Sequence, residues 1–135
     1  MSRDLRVGAI LHHRGFPFED GTRRNKYLVL LGAKIGCDYL FALTTSKIGR
    51  KKAEPGCHHS PKTYFFIPGD EKNFFPRNTW IVLGEPRTIN RAEIIEKGFL
   101  NIIQIVANLE KSITTEIRNC LKASMDITDR QKQLL

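Results

Sequence analysis

Five short apolar runs, each closed off by glycine, proline or asparagine, constrain the fold of this chain more than any other feature. They are Val7–His13 (VGAILHH), Lys26–Leu31 (KYLVLL), Asp38–Thr45 (DYLFALTT), Thr63–Ile67 (TYFFI) and Thr79–Leu83 (TWIVL). Each is short and rich in aromatic, β-branched or other apolar residues, the composition of strands on a pleated surface. The runs are continuously apolar instead of alternating, as expected of curved strands buried on much of both faces. Five such strands with turn residues between them predict a small barrel or half-open sheet.

The period changes in the second half. Asn90 followed by Glu93 (NRAE) reads as a capping box, opening a short helix over Arg91–Lys97 that ends at Gly98. A second helix is expected from Phe99 to about Ala123. Phe99, Ile102, Ile103, Val106, Leu109, Ile113, Ile117 and Leu121 keep a three-to-four spacing that buries one stripe. The expected class is mainly β with one short and one long C-terminal helix. Residues 1–124 form one domain, a size suited to 135 residues, and the polar tail 125–135 is expected to fray.

Several classes are set aside. No apolar run approaches the length that spans a bilayer, and no export segment is visible, so a cytoplasmic protein without membrane contact is expected. Cys37, Cys57 and Cys120 are odd in number and never spaced as C-x-x-C. That argues against a disulfide framework or a zinc ribbon and suits a reducing compartment. Cys57-His58-His59 could begin a metal site, but only His12, His13 or distant cysteines could complete it. No metal or cofactor is expected.

The net charge of +8 is unevenly placed. Residues 1–62 carry twelve Lys/Arg against five Asp/Glu, and residues 63–135 ten against nine, so the halves differ as +7 against +1. Two connections, Arg14–Asn25 and Ser46–Lys62, hold eight of those twelve cations. Such a field attracts a phosphate backbone, whose condensed counterions are released on binding. Candidate RNA contacts are Arg14, Phe16 and Arg23 in the first connection, and Ser46, Lys47, Arg50, Lys51 and Lys52 in the second. Phe16 and Phe18 share their connection with three arginines and could stack on bases.

Three segments, in order, resemble the PemK/MazF family of toxin endoribonucleases. They are Gly8–Leu11 (GAIL) with Asn25–Gly32 (NKYLVLLG), Phe41–Lys47 (FALTTSK), and Gly84–Ile94 (GEPRTINRAEI). The resemblance spans about residues 7–121. It implies an SH3-like barrel of five to seven strands with C-terminal helices and a homodimer. It also implies metal-independent cleavage of single-stranded RNA, and a cognate antitoxin that threads a peptide into the RNA groove. The chain departs from the family pattern where Lys26-Tyr27 replaces an Arg-Pro pair and Ala9 replaces an aspartate.

Metal-free cleavage of RNA uses the 2′-hydroxyl as nucleophile on the adjacent phosphate. It needs a proton acceptor, a proton donor and groups that stabilise the extra negative charge. The resemblance places the cation of the site at Lys26, with Arg24 able to supply the bidentate fork that lysine lacks. It places the phosphate-positioning hydroxyl at Thr44, with Thr45 or Ser46 as close substitutes. His12 and His13 are candidate acid or base groups, one on each side of the first strand. Arg87, after the last strand, is read as a brace. The alternative is a non-catalytic RNA-binding, or protein-binding, module of the same fold.

Overall fold

The computed structural model describes residues 5–47, 49, 51–71 and 74–135. The described residues form one antiparallel sheet of seven strands and three helices. The strands are β1 (Ala9–Pro17), β2 (Arg23–Gly32), β3 (Tyr39–Thr45), β4 (Gly56–His58), β5 (Tyr64–Ile67), β6 (Thr79–Ile89) and β7 (Ile103–Asn108). The helices are α1 (Arg91–Phe99), α2 (Lys111–Lys122) and α3 (Asp129–Lys132). Strand order is β4-β5-β6-β3-β2-β1-β7. The pairing leaves β4 and β7 as edges, so it does not close the expected barrel. Among the described residues, no helix is long and apolar enough to cross a membrane.

Apolar side chains fill both faces of the sheet, as the continuous runs require. One face packs Ile10, Val29, Leu31, Ala42, Ile81 and Leu83 against Ile117, Cys120 and Leu121 of α2. The other packs Leu11, Leu28, Leu30 and Phe41 against Ile94 of α1 and Ile103 of β7. A third cluster, Tyr64, Phe66 and Trp80, covers the β5–β6 end.

The basic segment 14–25 is not a loop through most of its length. Phe16 pairs with Arg24 and Pro17 with Arg23, so β1 and β2 continue as a hairpin past an irregularity between His13 and Phe16. Gly15, at φ 65°, takes the left-handed turn there, and its amide donates to Asn25 Oδ1 at 3.0 Å. Within residues 46–62, β4 adds a short edge strand on β5.

The expected long helix is two elements. Asn90 caps α1 as anticipated, its side chain accepting from the Glu93 amide at 2.8 Å. The Glu93 carboxylate pairs with Lys97 instead of returning to the cap. Gly98 stays helical, and the chain reverses at Asn101, whose φ is 60°. Residues 103–108 then run as β7 along β1. Ile102, Ile103, Ile105 and Val106 are β-branched and form poor helix, and the open edge of β1 supplies the hydrogen bonds they need. The three-to-four spacing was genuine only from Ile113 onward.

Two further expectations are corrected. The tail does not fray: Thr128 caps α3 with a full capping box, and Ile127 and Leu135 enter the core. Cys57 and Cys120 are joined by a disulfide across 63 residues, which ties edge strand β4 to α2. Odd count and irregular spacing concealed the pair, because one partner lies in a loop-rich segment and the other on a helix. Cys37 is free and exposed.

Candidate functional site

At one end of the sheet, β2 enters its regular pairing, β3 ends and β6 begins. Asn25, Lys26, Tyr27, Thr44, Thr45 and Ser46 there face Phe74, Phe75, Pro76, Arg77 and Thr79 across an open cleft of about 520 Å³. The register explains the grouping. Leu28 pairs with Leu43, and Thr45 with Trp80, so the residues just beyond each pair converge. The described lining carries two cations, several hydroxyls and aromatic rings, and no carboxylate, imidazole or thiol. No ligand set for a metal forms among those residues.

Lys26 is the half-buried cation of the group, and Arg77 is exposed. Burial, then the charges of Arg24 and Lys47, hold its ammonium below the ordinary lysine value. Arg24 lies over the Phe18 ring at 4.9 Å, and the Lys26 Nζ stands 5.8 Å from the same ring. The charges of Arg24 and Lys47 therefore bear on Lys26, though neither side chain lines the cleft.

The hydroxyls differ in what they have left to give. The Thr44 hydroxyl donates to the Tyr27 carbonyl at 3.0 Å, so its proton is committed to the backbone. Thr45 Oγ1 accepts from the Lys47 amide at 3.1 Å, which leaves its own proton for a ligand. Ser46 is exposed at the mouth. Of the two threonines, Thr45 keeps its proton for a ligand, and Thr44 fixes the cleft wall.

The remaining candidates divide. His12 sets its ring edge-on to Tyr27 at 5.2 Å, behind the cleft wall. His13 is buried on the opposite face, in a separate pocket with Glu93 and Lys97, and its Nδ1–H donates to the Arg14 carbonyl at 3.0 Å. That placement corrects the reading of His13 as an acid or base of this site. Phe16 is likewise corrected: it is 6% exposed, packed edge-on to Phe18 and Phe41 with Arg87 over its ring at 5.2 Å. It offers no face to a base. Arg24 sits on a strand instead of a flexible loop.

Arg14 and Arg23 are exposed near the hairpin irregularity, where Arg23 reaches the Gly15 carbonyl at 3.5 Å. Lys51 and Lys52 belong to another surface. The Lys52 amide donates to the Tyr64 hydroxyl at 2.7 Å, and its carbonyl accepts from the Trp80 indole at 2.9 Å. Arg50 lies outside the described residues.

Sequence reasoning missed Arg77, Asn25 and Tyr27 as cleft residues. Tyr27 is 40% exposed, with Phe74 edge-on at 5.1 Å and Phe75 at 6.3 Å. An available signal was the Phe74-Phe75-Pro76-Arg77 cluster directly before β6, since a strand start places its leading residues at the sheet end.

No protein-family model matches the chain, and no curated protein matches it.

Proposed function

We propose that the cleft binds single-stranded RNA and that the chain cleaves it there, through attack of a 2′-hydroxyl on the neighbouring phosphate. The observation that carries this reading is the lining itself: cations, hydroxyl donors and an exposed tyrosine together, with no described carboxylate among them. A phosphate would meet Lys26, Arg77 and the Thr45 hydroxyl. A base would stack on Tyr27, an interaction worth ~1–3 kcal/mol. A lysine held below its ordinary value is a better proton donor to a leaving 5′-oxygen than an unperturbed one. Arg77 offers a planar fork to the phosphorane. His12, whose ring stands edge-on to Tyr27 at 5.2 Å, is the candidate to accept the 2′-proton.

The resemblance to PemK/MazF toxins supports the same proposal. Under it the chain is the toxin of a toxin–antitoxin pair, acts as a homodimer, and is inhibited by a peptide that occupies the cleft. The open seven-stranded sheet would then be a variant of the family's SH3-like barrel in which β4 and β7 stay at the edges.

A second reading has its own support. The Thr44 hydroxyl is already donated to Tyr27, and no described imidazole or carboxylate lines the cleft. Those features favour a module that binds RNA and leaves it intact.

Purified protein incubated with single-stranded RNA in EDTA separates the two. Products ending in a 2′,3′-cyclic phosphate, abolished by 2′-deoxy substitution at the cut, are expected for the enzyme. Tight, salt-sensitive binding of intact RNA would replace that reading with the second. Negligible RNA affinity at low salt would remove both and leave a protein-binding domain.

A further inference from the structure

Away from the cleft, the disulfide partners have a third neighbour. His59, two residues after Cys57, places Nε2 3.3 Å from the Cys57 Sγ. The ligand atoms of Cys57, His59 and Cys120 all lie within 4.8 Å of one another. Cys57 and His59 are exposed, while Cys120 is buried beneath them.

Both ring nitrogens of His59 have a polar neighbour. Thr63 donates its hydroxyl to Asp126 Oδ2 at 2.9 Å, and the same carboxylate accepts the Thr63 amide at 2.7 Å. The Thr63 oxygen, 3.2 Å from His59 Nδ1, therefore acts as acceptor for Nδ1–H. With Nδ1–H donated there, the other ring nitrogen, Nε2, is the one that can offer a lone pair, and it is the nitrogen beside the Cys57 sulfur. A ring hydrogen-bonded at one nitrogen and open at the other, with a carboxylate behind it, is how metal-ligating histidines are oriented.

We propose that reduction of the Cys57–Cys120 disulfide opens a binding site for a soft divalent cation, zinc foremost. Its ligands are the two thiolates and His59 Nε2, with a water at the exposed fourth position. A dithiol reductant supplies two electrons and two protons. The sulfur–sulfur bond breaks, two thiols form, and the reductant leaves as its own disulfide. Zinc then displaces both thiol protons to solvent, giving a neutral unit of one dication, two thiolates and one neutral imidazole. With Zn–S near 2.3 Å and Zn–N near 2.0 Å, tetrahedral geometry asks for sulfur–nitrogen separations of roughly 3.5 Å. The Cys57–His59 pair already stands close to that, at 3.3 Å. The adjustment needed is a rotation of the freed sulfurs apart, to roughly 3.8 Å in such a tetrahedron.

The test titrates cobalt(II) into the full chain reduced with a phosphine. Expected are one equivalent of cobalt, a thiolate-to-cobalt charge-transfer band and intense tetrahedral visible bands, all displaced by zinc and absent from the oxidised protein. Cys57→Ser, at an exposed position, should weaken the charge-transfer band. His59→Gln should weaken binding at least tenfold while far-ultraviolet circular dichroism stays unchanged. Cys37→Ser should leave the spectrum as in the wild type. A reduced wild type that folds but shows no charge-transfer band would overturn the proposal. So would bands that persist unchanged in both Cys57→Ser and His59→Gln.

Discussion

Thr44 at the end of β3 donates its hydroxyl to the Tyr27 carbonyl at 3.0 Å, closing the cleft wall between two strands that pair from Leu28–Leu43 inward. The bond commits the Thr44 proton to the backbone and leaves the Thr45 proton open to a ligand. Thr44→Val removes a half-shielded hydrogen bond and should cost about 1 kcal/mol in urea unfolding. Thr44→Ser should recover most of it. Thr45→Val should leave stability nearly unchanged and weaken RNA binding more than Thr44→Val does. The reverse ranking in a binding titration would return the phosphate contact to Thr44.

Lys26 gives the cleft a pH signature. Its folded value lies below the ordinary 10.5 because of burial and the nearby Arg24 and Lys47. The ammonium is the form that binds phosphate, so RNA affinity should begin to fall at a lower pH than an ordinary lysine would allow. Lys26→Arg should hold affinity to higher pH, and Lys26→Ala should reduce the slope of log affinity against log salt by about one. The stability effect has the opposite sense. Between the depressed folded value and 10.5 the unfolded chain binds more protons at this position, so stability rises with pH in that window.

The sheet was legible in the sequence because Lys26–Leu31 and Thr63–Ile67 are apolar runs with turn residues at their ends. The site was legible only in part. Lys26, Thr44 and Thr45 were grouped through the family resemblance, and strand register brings all three to one cleft. Arg77 escaped notice because it enters the cleft only through the pairing of β6, which follows it, with β3. Phe16 was misread because a composition of Phe, Pro and Gly looks like a loop, whereas Gly15 merely bends a continuing hairpin. Ile102–Val106 was misread because so short a run fits helical spacing, and only the vacant edge of β1 decides for strand. The Cys57–Cys120 link depends on how β4 docks on α2, which no local pattern encodes.

His13 should make the fold sensitive to mild acid. Burial, aided by the Lys97 charge, outweighs its hydrogen bond to the Arg14 carbonyl and holds the imidazole below its ordinary 6.5. The unfolded chain then takes up a proton that the folded chain refuses. Stability should be flat with respect to this group above 6.5 and fall as pH drops from there to the folded value. His13→Gln should abolish that fall in urea titrations. Asp126 acts in a separate window: its carboxyl is held below 3.8 by the Thr63 amide and hydroxyl, so its contribution is lost only as pH falls through that lower value. A fall between those windows that survives in His13→Gln would assign the acid sensitivity to another group.

Gly32 and the C-terminal residues test whether the ordered tail holds the sheet. A Cβ at Gly32 would strike the Leu134 carbonyl, part of the backbone and unable to swing aside. The tail is held there by the Leu135 side chain in the core and by Lys34, whose Nζ donates to the Gln133 carbonyl at 2.7 Å. Gly32→Ala should therefore displace the tail or strain β2, at a cost of about 1–3 kcal/mol. Deleting residues 133–135 exposes the core around Leu135 and should cost a similar amount, since burying one leucine is worth about 1.5–3 kcal/mol. The two changes act on one contact, so they should not add: in the truncated chain Gly32→Ala should be nearly neutral. An undiminished cost of Gly32→Ala after truncation would mean that the penalty comes from β2 itself, through its other close neighbour Leu40, and not from the tail.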